Sequence, residues 1–233
     1  MNKQAVEERR IIVSIGGGHA TGVGAIALDL QNTFKNLFNS INIRVINLDN
    51  MIEGDIKSYN NGDYDFDNIL NLVYEKHAIT SQNDVIQHDY EDPIDLIIVC
   101  GCYALYDKRI NAISQLKVFL DSDADKRLIS LIKKKNVDTN EQLAQLITEY
   151  MDHLRPEMQQ YIEPTRVFAD LIIPSTNENL GRAILVDGIV KAIEETKSQM
   201  GEASSSNSKV RPRLWDFEAE TMDLEKDRYY DLS

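Results

Sequence analysis

Short apolar runs alternate with amphipathic stretches along most of the chain. Runs rich in β-branched residues predict buried strands, and apolar residues that recur every three or four positions predict helices. Strands that alternate with helices predict an α/β fold, in which a parallel sheet is covered by helices on both faces. The predicted strands span residues 11–15, 43–48, 96–100, 116–120 and 171–173, and the predicted helices span residues 23–37, 67–77, 123–135, 140–161 and 180–196.

The pattern changes in two places. Residues 53–67 are acidic and predict a loop, whereas residues 198–212 are polar and rich in serine, which predicts a linker. We therefore expect one domain over residues 1–197, followed by a serine-rich linker and an acidic tail over residues 198–233. The tail contains Trp215 and Phe217, which either dock on the domain or bind a protein partner.

The charge is strongly negative and unevenly placed. The 233 residues carry a net charge of −13. Such a chain is not attracted to polyanions, so neither nucleic acid nor an anionic membrane is an expected partner. Between Asp49 and Asp95 the sequence has twelve acidic residues and only two lysines. Most of the negative charge therefore falls in this one segment.

The two cysteines, Cys100 and Cys102, are separated by a single residue. This spacing is too short for an ordinary disulfide, and two thiols do not complete a zinc site. We therefore assign no metal-ligating residue and expect a reducing compartment. The N-terminal residues resemble neither a signal peptide nor a membrane span, so the expected location is the cytoplasm or the nucleus.

A glycine-rich segment follows the first predicted strand and precedes the first predicted helix. In this setting, backbone N–H groups and a helix N-terminus bind phosphate. The spacing from Gly17 to Gly22 matches the phosphate-loop pattern G-x-x-x-x-G-K-[ST]. A tight turn without a ligand is the alternative interpretation, and we favour the phosphate loop. The candidate nucleotide-binding residues are Gly17, Gly18, His19, Ala20, Thr21, Gly22, Val23 and Gly24.

The match fails at the two positions that carry chemistry. Val23 stands where a lysine reaches the phosphates, and Gly24 stands where a hydroxyl holds Mg²⁺. Loss of a cation beside several phosphate charges costs on the order of a thousandfold in rate. His19 lies inside the loop, but one imidazole does not replace the missing lysine.

A dinucleotide-binding fold is the rival interpretation of the same glycines. Residues 22–27 fit G-x-G-x-x-A, and Asp49 ends the next predicted strand, as a ribose-binding acid does. That fingerprint begins directly at the end of a strand, whereas Gly22 comes several residues after Ile15. An oxidoreductase is therefore the least favoured of the functions considered.

Several further segments resemble the uridine kinase family, the P-loop kinases that phosphorylate uridine and cytidine on the 5′-hydroxyl in pyrimidine salvage. The resemblance covers about residues 11–193 and implies a P-loop NTPase-like fold. It also implies a nucleoside or nucleotide ligand, with ATP and Mg²⁺ as cofactors if the protein is active. Because the family often forms homotetramers, the resemblance keeps a homo-oligomer among the alternatives for this protein. The similar segments are residues 47–50, 65–67, 106–110, 116–128, 155–156, 162–165, 169–174 and Asn179.

The resemblance suggests roles for four residues outside the loop. Asp49 matches the catalytic base that accepts the proton of the 5′-hydroxyl, and its structural alternative is a cap or loop acid. Asp67 matches the acid that binds the ribose hydroxyls, and the alternative is an N-cap of the next helix. Arg127 matches an arginine near substrate and phosphates, and the alternative is an ion pair with nearby aspartates. Glu178 falls where the family has a residue that contacts the nucleotide.

Other positions depart from the family. Cys100 replaces a carboxylate that helps to organise Mg²⁺, and a neutral thiol is a poor ligand for that cation. We expect Cys100 and Cys102 to be small buried apolar residues. Residues 130–136 are a shortened lid with three lysines on a solvated helix face and without most of the family's arginines. Residues 79–91 do not match the family's base-recognising hairpin.

The positions that match the family and those that depart from it favour two functions. The first is a diverged uridine kinase relative with strongly impaired or absent catalysis, which binds a nucleoside or nucleotide and acts through a partner. The second is an active uridine kinase with an atypical phosphate and metal site. Because the lost groups all serve phosphoryl transfer, we favour the first. The acidic segment covers both Asp49 and Asp67, so we expect a pocket too negative to hold ATP for reaction.

Overall fold

A five-stranded parallel sheet forms the centre of the protein. The computed structural model describes residues 10–38, 41–52, 57–75, 94–176 and 178–202. The strands lie in the order β2-β3-β1-β4-β5, so β1 is central and the chain crosses from one side of it to the other. The strands are β1 (Arg10–Gly17), β2 (Ile41–Asn47), β3 (Ile94–Cys100), β4 (Leu116–Asp121) and β5 (Leu171–Pro174).

Helices cover both faces of the sheet, and the prediction of a parallel α/β fold is confirmed. One helix, α3, was not expected, because it has only six residues and lies just before the buried strand β4. Single 3₁₀ turns at Leu48–Asn50 and Asn61–Asp63 interrupt the loop after β2. The helices are α1 (Val23–Leu37), α2 (Phe66–Tyr74), α3 (Lys108–Ile113), α4 (Ala124–Lys134), α5 (Asn140–Glu149) and α6 (Glu178–Glu202).

The apolar side chains of the central strands alternate between two cores. On β1, Ile11, Val13 and Ile15 belong to a buried cluster shared with α1 and α6. Ile12 belongs to the opposite cluster, shared with α2 and α3. Strands buried on both faces are continuous hydrophobic runs, which is why the sequence pattern identified them.

The long helix expected over residues 140–161 is helical but not regular. A capping box between Thr139 and Gln142 begins α5. After Glu149 the chain forms two wide π-helical segments, with one α-helical turn between them and a 3₁₀ segment behind them. Pro156 has no backbone N–H, so it cannot close the regular bond to the preceding turn. The later segments are Tyr150–Leu154, Arg155–Glu157, Met158–Ile162 and Glu163–Phe168.

The final helix is longer than predicted. α6 continues to Glu202, past Ser198, where the linker was expected to begin. Arg182 forms an ion pair with Asp29 of α1 at 2.9 Å, and the Lys197 ammonium lies 5.0 Å from the centre of the Phe38 ring. The tail that contains Trp215 and Phe217 lies outside the described residues. Within the described ranges, no helix is long and apolar enough to cross a membrane.

Two glycines of α6 give a matched test of this packing. A Cβ at Gly181 would clash with Cγ2 of Ile173, whereas a Cβ at Gly188 would lie 3.8 Å from Cδ2 of Leu116, in ordinary contact. We expect Gly181→Ala to lower the free energy of unfolding by about 1–3 kcal/mol through overpacking. We expect Gly188→Ala to raise it by about 0.5–1 kcal/mol through helix propensity.

Urea denaturation of the two variants and the parent chain measures both changes. Equal effects of the two substitutions would contradict the close contact between α6 and β5.

Candidate functional site

The glycine loop lies at the carboxyl end of the central strand. β1 continues through Gly17, and α1 begins at Val23. Inside the loop, the backbone N–H and the hydroxyl of Thr21 both donate to the carbonyl of Gly18, at 3.2 and 2.7 Å. Ala20 and Gly22 have left-handed backbone angles, with φ of 57° and 86°. This tight turn directs the uncapped N-terminus of α1 towards the edge of the sheet.

The strand and helix boundaries agree with the register of a phosphate loop. A dinucleotide fingerprint would place Gly22 at the end of the strand, but Gly22 is the residue that precedes α1, and Gly24 lies within the helix. The arrangement therefore favours a phosphate loop over the rival interpretation.

Of the two positions that lack phosphate-loop chemistry, Val23 is buried and Gly24 is half-buried beside Asn47. Val23 is 4% exposed and belongs to the apolar cluster between the sheet and α1, which also contains the fully buried Cys100. A Cβ at Gly24 would lie 3.1 Å from the side-chain nitrogen of Asn47. Neither position offers a cation or a hydroxyl to a phosphate group.

Asp49 lies beside the loop on a 3₁₀ turn that follows β2. Its Oδ1 accepts the backbone N–H of Cys102 at 2.9 Å, which ties the carboxylate to the carboxyl end of β3. Gly101 makes this approach possible, because it has φ of 141° and a Cβ there would lie 3.0 Å from Oδ1. The cap of this turn is Asn47, whose side chain accepts the N–H of Asp49 at 3.0 Å, so Asp49 is not the cap.

Arg127 lies directly against the loop. The residue is 9% exposed, and its guanidinium donates to the carbonyl of Ser122. A Cβ at Gly18 would lie 2.8 Å from Cδ and 3.1 Å from Nε of Arg127. Within the described ranges Arg127 forms no ion pair, and Asp123 pairs with Lys126 at 3.1 Å. The ion-pair alternative for Arg127 is therefore wrong for this part of the chain.

Asp67 lies in the first turn of α2 and is 80% exposed. The cap of α2 is Asp65, which accepts the backbone N–H groups of Asp67 and Asn68 at 3.1 and 3.0 Å. The N-cap alternative for Asp67 is therefore wrong. Asp67 pairs with Arg109, which also binds Asp107 at 2.8 Å. The side chain of Glu178, at the start of α6, lies outside the described residues.

A buried carboxylate next to the loop was not expected from the sequence. His19 Nε2 lies 2.8 Å from Oε2 of Glu157, and the hydroxyl of Tyr103 donates to Oε1 at 3.0 Å. His19 Nδ1 lies 3.5 Å from Sγ of Cys102. Because 138 residues separate His19 from Glu157, no local pattern could identify the pair.

Both thiols are held in the neutral form. Burial, together with the charge of Asp49, raises the pKa of Cys100 to about 12. Burial and the carboxylates of Asp49 and Glu157 raise the pKa of Cys102 well above its usual range, and Lys134 opposes this shift. Both cysteines are buried, as expected, but Cys102 also contacts polar groups. Across the described ranges, no three His, Cys, Asp or Glu residues are arranged to hold a metal ion.

The lid packs on the glycine loop through apolar side chains. A small apolar core lies beside the glycine loop, and Ala20 and Tyr59 pack against it. Its buried members are Leu131 of α4, Leu146 of α5, Tyr150 and Leu154. The Tyr59 ring also stacks on His153, with 4.5 Å between ring centres. As predicted, the lid lysines 133–135 are exposed, and Lys135 pairs with Glu149 at 2.6 Å. The segment where base recognition was sought, residues 79–91, lies outside the described residues.

The sheet order, the loop between β1 and α1 and the acid after β2 are those of a P-loop kinase fold. The model of the family described as "Phosphoribulokinase / Uridine kinase family" matches residues 21–181, which is well over half of the chain. The protein therefore belongs to this family. The match begins at Thr21, inside the glycine loop, and includes Asp49, Asp67 and Arg127.

The chain is also similar to several known proteins. The Saccharomyces cerevisiae protein named "Putative uridine kinase DAS2" is 89% identical over 233 residues, which is the full length of both chains. The uridine kinase of Streptococcus gordonii is 27% identical, over 82% of this chain and 97% of its own length. Among solved structures, phosphoribulokinase from Rhodobacter spheroides is similar with a TM-score of 0.47 and 11% identity, over 72% of this chain and 70% of that one.

The thiol environment gives a direct prediction. At pH 8 the two thiols of the folded protein should react very slowly with 5,5′-dithiobis(2-nitrobenzoic acid). Burial and nearby carboxylates disfavour both thiolates, which are the reactive forms. Unfolding in guanidinium should expose both thiols of the chain. One fast-reacting thiol in the folded protein, lost in Cys102→Ser, would instead mean that His19 activates Cys102.

Proposed function

We propose that the protein is a nucleoside-binding relative of uridine kinases whose phosphoryl transfer is strongly impaired or absent. The observation that carries this proposal is the burial of Val23 and Cys100 in one apolar cluster. These are the two positions where the family resemblance implies a lysine and a metal-organising acid. Both charged groups are replaced by buried, uncharged side chains, so the phosphate position and the metal position have both lost their charge.

The nucleoside side of the site supports retained binding. Asp49 keeps a carboxylate at the edge of the sheet, and only one of its oxygens accepts a backbone hydrogen bond. Arg127 keeps a buried guanidinium against the loop. Asp67 is exposed, and in the part of the chain that the structure describes it pairs only with Arg109. These groups are suited to hydroxyl groups of a neutral ligand.

ATP and Mg²⁺ are the cofactors that the family reaction requires, and the residues of this site do not fit them. Val23 and Gly24 supply neither charge nor hydroxyl, and Cys100 is a neutral buried thiol. The carboxylate of Glu157 contacts His19 of the glycine loop and adds negative charge beside it. A hard cation prefers oxygen ligands, and Asp49 alone does not supply a set of them.

An active uridine kinase with an atypical site is the second candidate. The contact between Arg127 and Gly18 favours it, because a guanidinium at this position stabilises charge on a transferred phosphoryl group. The exposed lysines of the lid add positive charge nearby. Under either candidate, a homo-oligomer or a protein partner is part of the proposal, and the tail with Trp215 and Phe217 is the segment suggested for partner binding.

Phosphate transfer from ATP to uridine distinguishes the two candidates. With Mg²⁺ present, we expect turnover at least about a thousandfold below that of the Streptococcus gordonii uridine kinase assayed in parallel, because the lost groups all stabilise one transition state. Turnover near that of the control enzyme, abolished in Asp49→Ala and retained in Cys100→Ala, would establish the active alternative.

Uridine binding is a separate prediction. Millimolar uridine should raise the melting temperature of the parent chain, since a ligand that binds only the native state stabilises it. Asp67→Asn should reduce this shift by more than half. Asp29→Asn is the matched control, because Asp29 is also an exposed acid paired with an arginine, and it should leave the shift unchanged. No shift in the parent chain would refute nucleoside binding.

A further inference from the structure

Glu157 is a buried carboxylate whose segment packs on the glycine loop at two consecutive residues. It is 5% exposed and lies on the single α-helical turn between two wide turns. Its Oε2 reaches His19, and a Cβ at Gly18 would lie 2.9 Å from Sδ of the neighbouring Met158. The segment between the two π-helical turns therefore places the negative charge of Glu157 next to the glycine loop.

Both oxygens of Glu157 are held in place. Tyr103, which is fully buried, donates to Oε1, and His19 meets Oε2. Arg127 lies against the same loop, but it donates to the carbonyl of Ser122 and forms no ion pair with Glu157. The imidazole of His19 is thus the basic group in direct contact with this carboxylate, among the described residues.

The charge of Glu157 acts across the pocket. Burial is the main cause of the raised pKa values of Tyr59 on the lid side, Tyr64 beside α2 and Cys102 after β3, and the charge of Glu157 adds to each of these shifts. These three residues come from three different segments around the loop. An anion placed in the loop would face the same field, and each added phosphate group would increase the repulsion.

We infer that Glu157 determines which ligands the glycine loop accepts, by excluding polyphosphates and admitting neutral nucleosides. Its carboxylate, held by Tyr103 and His19, takes the side of the loop where the β- and γ-phosphates of a nucleotide would lie. This inference rests on the proposed function, because it assumes that the neighbouring pocket binds a nucleoside. It adds a residue that sets the charge of the preferred ligand.

Glu157→Gln tests the charge while keeping the size of the side chain. Binding of uridine, AMP, ADP and ATP is measured by calorimetry without divalent cations. For the parent chain we expect affinity to fall with each added phosphate. In Glu157→Gln we expect ATP affinity to rise by about tenfold or more, with smaller gains for ADP and AMP and none for uridine. Glu163→Gln is the control, because it makes the same charge change on a half-exposed residue later in the same segment.

Further variants separate charge from packing. Tyr103→Phe removes one hydrogen bond to Glu157 and keeps the charge, so it should lower the melting temperature without raising ATP affinity. If Glu157→Gln does not fold, Glu157→Met gives a second neutral side chain, and the ligand series on the parent chain is still informative.

The inference is overturned if the parent chain binds ATP at least as tightly as uridine. It is also overturned if Glu157→Gln leaves ATP affinity unchanged, or if Glu163→Gln raises it equally. Failure of the proposed function gives a different result. In that case uridine binds to none of the proteins, whereas a gain in ATP affinity confined to Glu157→Gln would still support the role of Glu157.

Discussion

The arrangement of the site depends on the burial of β1 between β3 and β4. All eight residues of β1 are buried, and the strand continues into the glycine loop without a break. Its neighbours therefore fix where the loop emerges, and they bring the ends of β3 and β4 to the same edge. Asp49, Cys102 and Arg127 reach the loop because the segments that follow parallel strands meet at this edge.

Positions 23 and 100 both hold uncharged side chains in one apolar cluster. A lysine at position 23 or an acid at position 100 would place a charge against this cluster. Burying a charge is costly unless it is paired and hydrogen-bonded, and the other members of the cluster are apolar. The burial of Val23 and Cys100 therefore agrees with the loss of charge at both positions.

The sequence predicted the regular elements well and the irregular ones poorly. α1 has the predicted bounds, because a strong helical period begins directly after glycine. The cap of α2 was assigned to Asp67 as an alternative, but Asp65 performs it, since both acids suit that position and only the backbone decides between them. Glu157 was missed for a different reason. Its direction depends on the π-helical turns around Pro156, and periodicity carries no information about such turns.

Part of the negative charge next to the loop comes from outside the acidic segment that the sequence analysis identified. In the acidic segment, Asp63 accepts the backbone N–H groups of Ser58 and Tyr59. Asp65 caps α2 and Asp67 pairs with Arg109. Each of these three acids already has a hydrogen-bond or ion-pair partner. Among the residues that the structure describes, Asp49 of the acidic segment and Glu157, far outside it, are the carboxylates next to the loop. Total charge therefore says little about the loop, whereas one buried and oriented carboxylate acts on it at short range.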